Sequence, residues 1–155
     1  MEQQFMNIAV EEALKGMVSN QGGPFGAVIV KNQKVIAIAH NEVLSSHDPT
    51  AHAEIQAIRN ASQLLGSHNL SDCEIYSTCE PCPIWYSAIH WARIPKLYYA
   101  ASRKEASLSG FDDDVLYDIL SGKITNPQLQ KNQVIDKKAN DLFAFWDNKK
   151  DRQTY

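Results

Sequence analysis

Two short segments carry the residue types that do chemistry. His52-Ala53-Glu54 puts an imidazole and a carboxylate two residues apart at the mouth of a helical pattern. Glu80-Pro81-Cys82-Pro83-Ile84-Trp85 puts a thiol at the mouth of another. A neutral imidazole and a thiolate are both ligands for zinc. A zinc ion with a position open to water lowers the pKa of that water toward about 7, so hydroxide exists at neutral pH. A carboxylate that is not itself a ligand then moves protons between water and substrate. Both segments fall at expected helix N-termini, where the positive end of the dipole favours thiolate and hydroxide.

Taken singly, each residue has a plainer role. A histidine at a helix start is commonly a surface or capping residue, and a cysteine is commonly core. The conjunction is more specific. H-x-E, then a strand, then P-C-x-x-C is the pattern of zinc-dependent nucleobase deaminases. One member is absent: Trp85 stands where the second cysteine belongs. Indole has one N–H donor and no lone pair free for a metal.

Three outcomes are open. Cys79 substitutes, since Cys79-Glu80-Pro81-Cys82 is itself a C-x-x-C; as a strand-end residue, however, its side chain is expected to alternate away from the site. Alternatively, zinc is held by His52 and Cys82 with water or a carboxylate. Even a change behind the ligands costs about 10–100-fold in affinity, and a lost thiolate costs at least that. In the third outcome no metal binds, Trp85 fills the space, and activity is lost.

The elements that position these residues are legible in the periodicity. Phe5, Ile8, Ala9, Ala13, Leu14 and Met17 recur at helical spacing over residues 3–18, closed by "SNQGGP". "FGAVIV" and "VIAIAH" flank the polar "KNQK" and read as a hairpin of buried strands. "NEVLSSHDPT" reads as a loop, and "AHAEIQAIRNASQLL" as a helix punctuated by Asp48-Pro49-Thr50. "EIYST" is a strand, "CPIWYSAIHWAR" a helix opened by Pro83, and "KLYYAA" a strand. Residues 112–121 are expected to be helical, "QVI" to be a last edge strand, and residues 137–149 to form an amphipathic helix through Ala139, Leu142, Phe143 and Trp146. Alternating strands and helices predict a three-layer α/β/α sandwich with a mixed central sheet.

Bulk properties bound the rest. The 155 residues suit a single domain, 1–155. Fifteen basic residues face 18 acidic ones, a net charge of −3, which argues against a polyanionic nucleic-acid partner. The three cysteines, Cys73, Cys79 and Cys82, make a poor disulfide framework. No signal-peptide pattern and no run of about 20 apolar residues is present, so a cytoplasmic protein with no membrane association is expected.

Over nearly its whole length the chain resembles the cytidine deaminase superfamily, and within it the bacterial guanine deaminases. The resemblance rests on "GGPFGAVIVK", "DPTAHAEIQAIR", "CEPCP", "AIHWAR", "YYAA" and "GFDD". It implies zinc held by His52 and Cys82, Glu54 as proton shuttle, and guanine hydrolysed to xanthine and ammonia. It also implies that Asn41 hydrogen-bonds the purine, and that Phe25 and Trp91 line the pocket. Asp113 would read the amino side of guanine and assist proton transfer. Members are homodimers with exchanged C-terminal segments, here 137–155, whose terminal tyrosine, here Tyr155, closes over the partner's site; the spacing before Tyr155 departs from that pattern.

The residues themselves are compatible with those roles. A carboxylate is the natural acceptor for a donor edge, and a purine has apolar faces for Phe or Trp. The plainer readings are a solvated helix start for Asp113, core for Phe25 and Trp91, and a turn for Asn41. Deamination of guanosine, cytosine or tRNA adenosine, or silent purine binding, are the alternative functions.

Overall fold

The computed structural model describes residues 2–126 and 128–154. Its elements are α1 (Glu2–Val18), β1 (Gly26–Lys31), β2 (Lys34–His40), α2 (Val43–Ser46), α3 (Ala53–Leu65), β3 (Cys73–Cys79), α4 (Pro83–Ala92), β4 (Lys96–Ala101), α5 (Arg103–Leu108), α6 (Asp114–Leu120) and α7 (Lys137–Asp147). Four strands form one sheet in the order β2-β1-β3-β4. β1 is antiparallel to β2 and to β3, whereas β3 and β4 are parallel. The mixed sheet follows from the connections. Asn32 and Gln33, both at positive φ, close β1 onto β2 in a tight hairpin, while α4 carries the chain from β3 to its parallel neighbour β4.

Strand alternation assigns the two faces. Val28 and Val30 pack with Tyr76 against Phe5 and Ala9 of α1. Ala27 and Ile29 pack on the other face with Ala53, Ala57 and Ala61 of α3 and Trp85 and Ile89 of α4. Val28, Ile29 and Val30 are essentially inaccessible; burying each is worth about 1.5–3 kcal/mol. The expected sandwich is present, and the centre of the sheet is its most buried part.

Three elements differ from expectation. The loop at 41–50 contains the one-turn helix α2, ended by His47 in the left-handed region. α5 has too few residues to show periodicity. A capping box defines it: Ser102 Oγ accepts from Glu105 N while Glu105 accepts from Ser102 N. The edge strand expected at "QVI" does not form. Val134 and Ile135 are 84% and 89% exposed, and among the described residues the sheet ends at β2 and β4. A segment this exposed buries no apolar face against the sheet, so no packing holds it as a strand.

Candidate active site

The C-terminal end of β3 and the N-termini of α3 and α4 meet at one cavity of about 540 Å³. His52 is the N-cap residue of α3 and Cys82 that of α4; both have extended backbone, and Pro83 opens α4. That shared geometry turns both side chains toward the same point, with His52 Nδ1 3.7 Å from Cys82 Sγ. The turn bearing Cys82 is braced from the next layer. Glu80 accepts the backbone N–H of Arg103, the Arg103 guanidinium lies 4.3 Å over the Tyr117 ring, and the Tyr117 hydroxyl donates to Pro81 O at 2.8 Å.

Glu54, on the first turn of α3, is 1% exposed. Ser77 Oγ donates to its Oε1 at 2.5 Å, and Ser77 Oγ accepts from Cys79 N. Burial pushes the Glu54 carboxyl up to about 7, despite the Ser77 and backbone hydrogen bonds that favour the anion; Asp113 adds to the rise. A carboxyl at that value gives and takes a proton with little cost near neutrality. Burial holds His52 below its ordinary value, against the pull of Asp113, so its ring is neutral and keeps a lone pair. Burial pushes the Cys82 thiol up to about 11, although the backbone N–H groups of Trp85 and Ile84 oppose this. It therefore stays protonated until a cation displaces the proton. Burial also raises Asp113.

Asn41 and Phe25 lie in the cavity wall, as does Asp113. Asn41 is buried, and its Oδ1 accepts from Gly23 N at 3.3 Å and from Val43 N at 3.2 Å. These bonds fix the amide so that its NH₂ is the end left for a ligand. Gly22 makes the packing possible: a Cβ there would meet Asn41 Oδ1 at 2.0 Å. Phe25 meets Phe111 edge to face at 4.8 Å. Phe111 and Ser77 were both missed by sequence reasoning. Phe111 immediately precedes the acidic run, and Ser77 lies two residues before Cys79 on the same strand face, so the signal for each was present.

Two expected placements are corrected. Cys79 does not turn away; it lines the same cavity as His52, Glu54 and Cys82. Alternation along β3 puts it on the face of Ser77, which reaches Glu54. Trp91 is not in this cavity. It is 58% exposed, beside Leu142, Phe143, Trp146 and Thr154. At about 100° per residue, six helical steps separate Trp85 and Trp91 by about 120°, and Trp85 takes the inward direction. Tyr155 lies outside the described residues.

The donor set fits a metal at two corners. Tetrahedral zinc, with Zn–N near 2.05 Å and Zn–S near 2.3 Å, separates its nitrogen and sulfur ligands by about 3.6 Å. His52 and Cys82 stand at that spacing. A third corner is lacking: among the described residues no three His, Cys, Asp or Glu side chains come together as a metal-holding group. Trp85, 3% exposed, lines the cavity next to Cys82.

Residues 1–101 match the cytidine and deoxycytidylate deaminase zinc-binding region. The chain belongs to this deaminase family. Guanine deaminase of Bacillus subtilis (strain 168) is 41% identical over 151 residues, 97% of each chain. The X-ray structure of guanine deaminase from Bacillus subtilis superposes with a TM-score of 0.92 at 40% identity, covering 99% of this chain and 98% of that one. The tRNA-specific adenosine deaminase of Aquifex aeolicus is 40% identical over 101 residues, 65% of this chain and 66% of its own. A solved complex with 8-azaguanine has a TM-score of 0.70 at 30% identity, covering 73% of this chain and 65% of that chain. No helix among the described residues of this deaminase is long and apolar enough to cross a membrane.

Proposed function

We propose that the protein hydrolyses guanine to xanthine and ammonia. The observation that carries this reading is Asp113. It stands in the cavity wall with His52, Glu54 and Asn41, yet it lies beyond residue 101, where the general family match stops. The similarity to guanine deaminase covers 97% of the chain, more than the 82% reached by a tRNA-specific relative, and a carboxylate suits the donor edge of guanine.

Each residue has a chemical task. Asn41 offers its NH₂ to the acceptors on one edge of the purine, because its oxygen is already occupied. Asp113 accepts from the ring N–H and amino donors of guanine, and a neutral analogue at that position would lose the charge assistance. Phe25 and Phe111 supply an apolar wall for the base. Glu54 takes a proton from the attacking water, delivers it to the adjacent ring nitrogen, and returns a proton to the departing amine. The bond formed joins the water oxygen to C2, and the bond broken is from C2 to the amino nitrogen. Zinc is the family's metal; His52 Nδ1 and Cys82 Sγ are the residues that would hold it, and when bound it supplies a water acidic enough to ionise near neutrality.

A homodimer is part of the same proposal. α7 buries none of its residues, and Leu142, Phe143 and Phe145 are each about two-thirds exposed or more. Such a face calls for a partner, and exchange of residues 137–155 between two copies of the single 1–155 domain would cover it. The double change Phe143→Asp with Phe145→Asp is expected to sediment as a monomer; an unchanged dimer would remove α7 from the interface. A cytoplasmic location and a small-molecule rather than nucleic-acid partner complete the reading, in keeping with the net charge of −3.

Trp85 favours one second reading, a purine-binding homologue that no longer turns over. Ammonia release measured across guanine, guanosine, cytosine and a tRNA adenosine stem-loop, with zinc supplied, separates the possibilities. Release from guanine alone is expected. Release from another substrate at a higher kcat/KM would replace guanine, and binding of guanine without release would select the silent protein.

A further inference from the structure

We infer that Trp85 reduces the metal centre to two protein donors, so that zinc is a weak, exchangeable ligand of this chain and not a resident one. This deepens the proposed deaminase reading, because it concerns the metal of that same cleft.

The indole is fixed in place. Trp85 sits on the first turn of α4 and is 3% exposed. It packs in the core with Ala27 and Ile29 of the sheet and Ile89 one turn further along α4. A side chain held in this way cannot swing out to admit a donor from elsewhere, and indole itself offers a metal no lone pair. Cys79 and Glu80 line the cavity, but they do not complete a set of three with His52 and Cys82.

Catalytic zinc sites ordinarily keep three protein ligands and one open position. A change behind the ligands already costs about 10–100-fold in affinity, so the missing ligand is expected to cost about 100-fold or more. The spacing of His52 and Cys82 still suits zinc, so binding is weakened and remains specific to that pair.

The test measures metal affinity, without a base present. Full-length protein is stripped with a chelator, and its zinc dissociation constant is read by competition with a chromophoric chelator. The variants are Trp85→Cys, Trp85→His and Trp85→Ala. The cysteine and histidine variants restore a donor; the histidine variant also fills more of the volume and guards against loss of fold. Both, where folded by circular dichroism, are expected to bind zinc about 100-fold more tightly than wild type. Trp85→Ala creates room without a donor and is expected to stay within about fivefold of wild type, since no ligand is gained. One equivalent of zinc retained by wild type through chelator dialysis would overturn the inference. So would folded cysteine and histidine variants no tighter than wild type, or an alanine variant as tight as the cysteine one. A zinc-saturated Trp85→Cys protein that leaves guanine unchanged would instead overturn the substrate reading, while its tighter zinc binding would support the two-donor account.

Discussion

Gly22→Ala is a small perturbation with a large expected effect. The Gly22 φ is outside the left-handed region, so alanine is allowed by the backbone. The obstacle is steric. The new Cβ would meet Asn41 Oδ1 at 2.0 Å, Asn41 O at 2.4 Å and Asn41 C at 2.8 Å. Rotating the Asn41 side chain relieves only the first contact. The two segments must therefore separate by about 1 Å, an overpacking cost of about 1–3 kcal/mol. That separation breaks the 3.3 Å bond from Gly23 N, and the 3.2 Å bond from Val43 N weakens with it. Asn41 then loses its fixed orientation toward the base. A lost hydrogen bond of about 1–1.5 kcal/mol, plus the cost of re-ordering the amide, weakens 8-azaguanine binding by about 10–100-fold. The melting temperature falls by about 3–8 °C. Gly66→Ala is the control. It caps the far end of α3 at φ +63 with nothing within 4 Å of a Cβ. It is expected to cost about 1–2 kcal/mol in stability and nothing in base affinity. Calorimetric titration and thermal melts read both effects. A folded Gly22→Ala protein that binds 8-azaguanine within about twofold of wild type would refute the assignment of Asn41.

Other perturbations separate the remaining roles. Glu54→Gln keeps the shape of the side chain and its contact with Ser77, so base binding is expected to stay within about threefold while turnover under added zinc falls about 10²–10⁴-fold in a xanthine assay. Asp113→Asn is expected to weaken guanine by about 10–100-fold, and hypoxanthine, which lacks the amino group, much less; equal losses for both would show that Asp113 does not read the amino side. Glu12 is raised by burial, but hydrogen bonds from His40 and Lys15 outweigh this and hold it below its ordinary value. A depressed carboxyl stabilises the fold above its unfolded pKa of 4.5 and loses that contribution as pH falls through the folded value. Urea unfolding of wild type and Glu12→Gln is therefore expected to differ most near neutrality and to converge below that pH. A gap that is constant down to the acid limit would contradict the linkage.

Much of the fold could be read in advance because it is encoded locally. The continuous apolar run of β1, the apolar spacing of α1 and α3 and the proline at the mouth of α4 all survive in the structure. The convergence of His52 and Cys82 was also legible, since two N-cap positions that open successive crossover helices of one sheet face the same end of it. What was hidden depends on contacts distant in sequence. The direction of Cys79 follows from Ser77 reaching Glu54, 23 residues away. The outward placement of Trp91 follows from Trp85 occupying the core side of α4. Phe111 reaches the cavity through its contact with Phe25, which no periodicity records. Val134 and Ile135 have strand-forming side chains, but they stay exposed and gain no burial from joining the sheet.

Isotopic tracing tests the proposed reaction most directly. Guanine is incubated with the zinc-supplemented protein in water enriched in heavy oxygen, and the products are read by mass spectrometry and an ammonia assay. Xanthine carrying one heavy oxygen is expected, with one ammonia per xanthine, and Glu54→Gln is expected to suppress both. Unlabelled xanthine, or guanine left intact by protein shown to hold both zinc and base, would contradict water attack at C2 driven by this cleft.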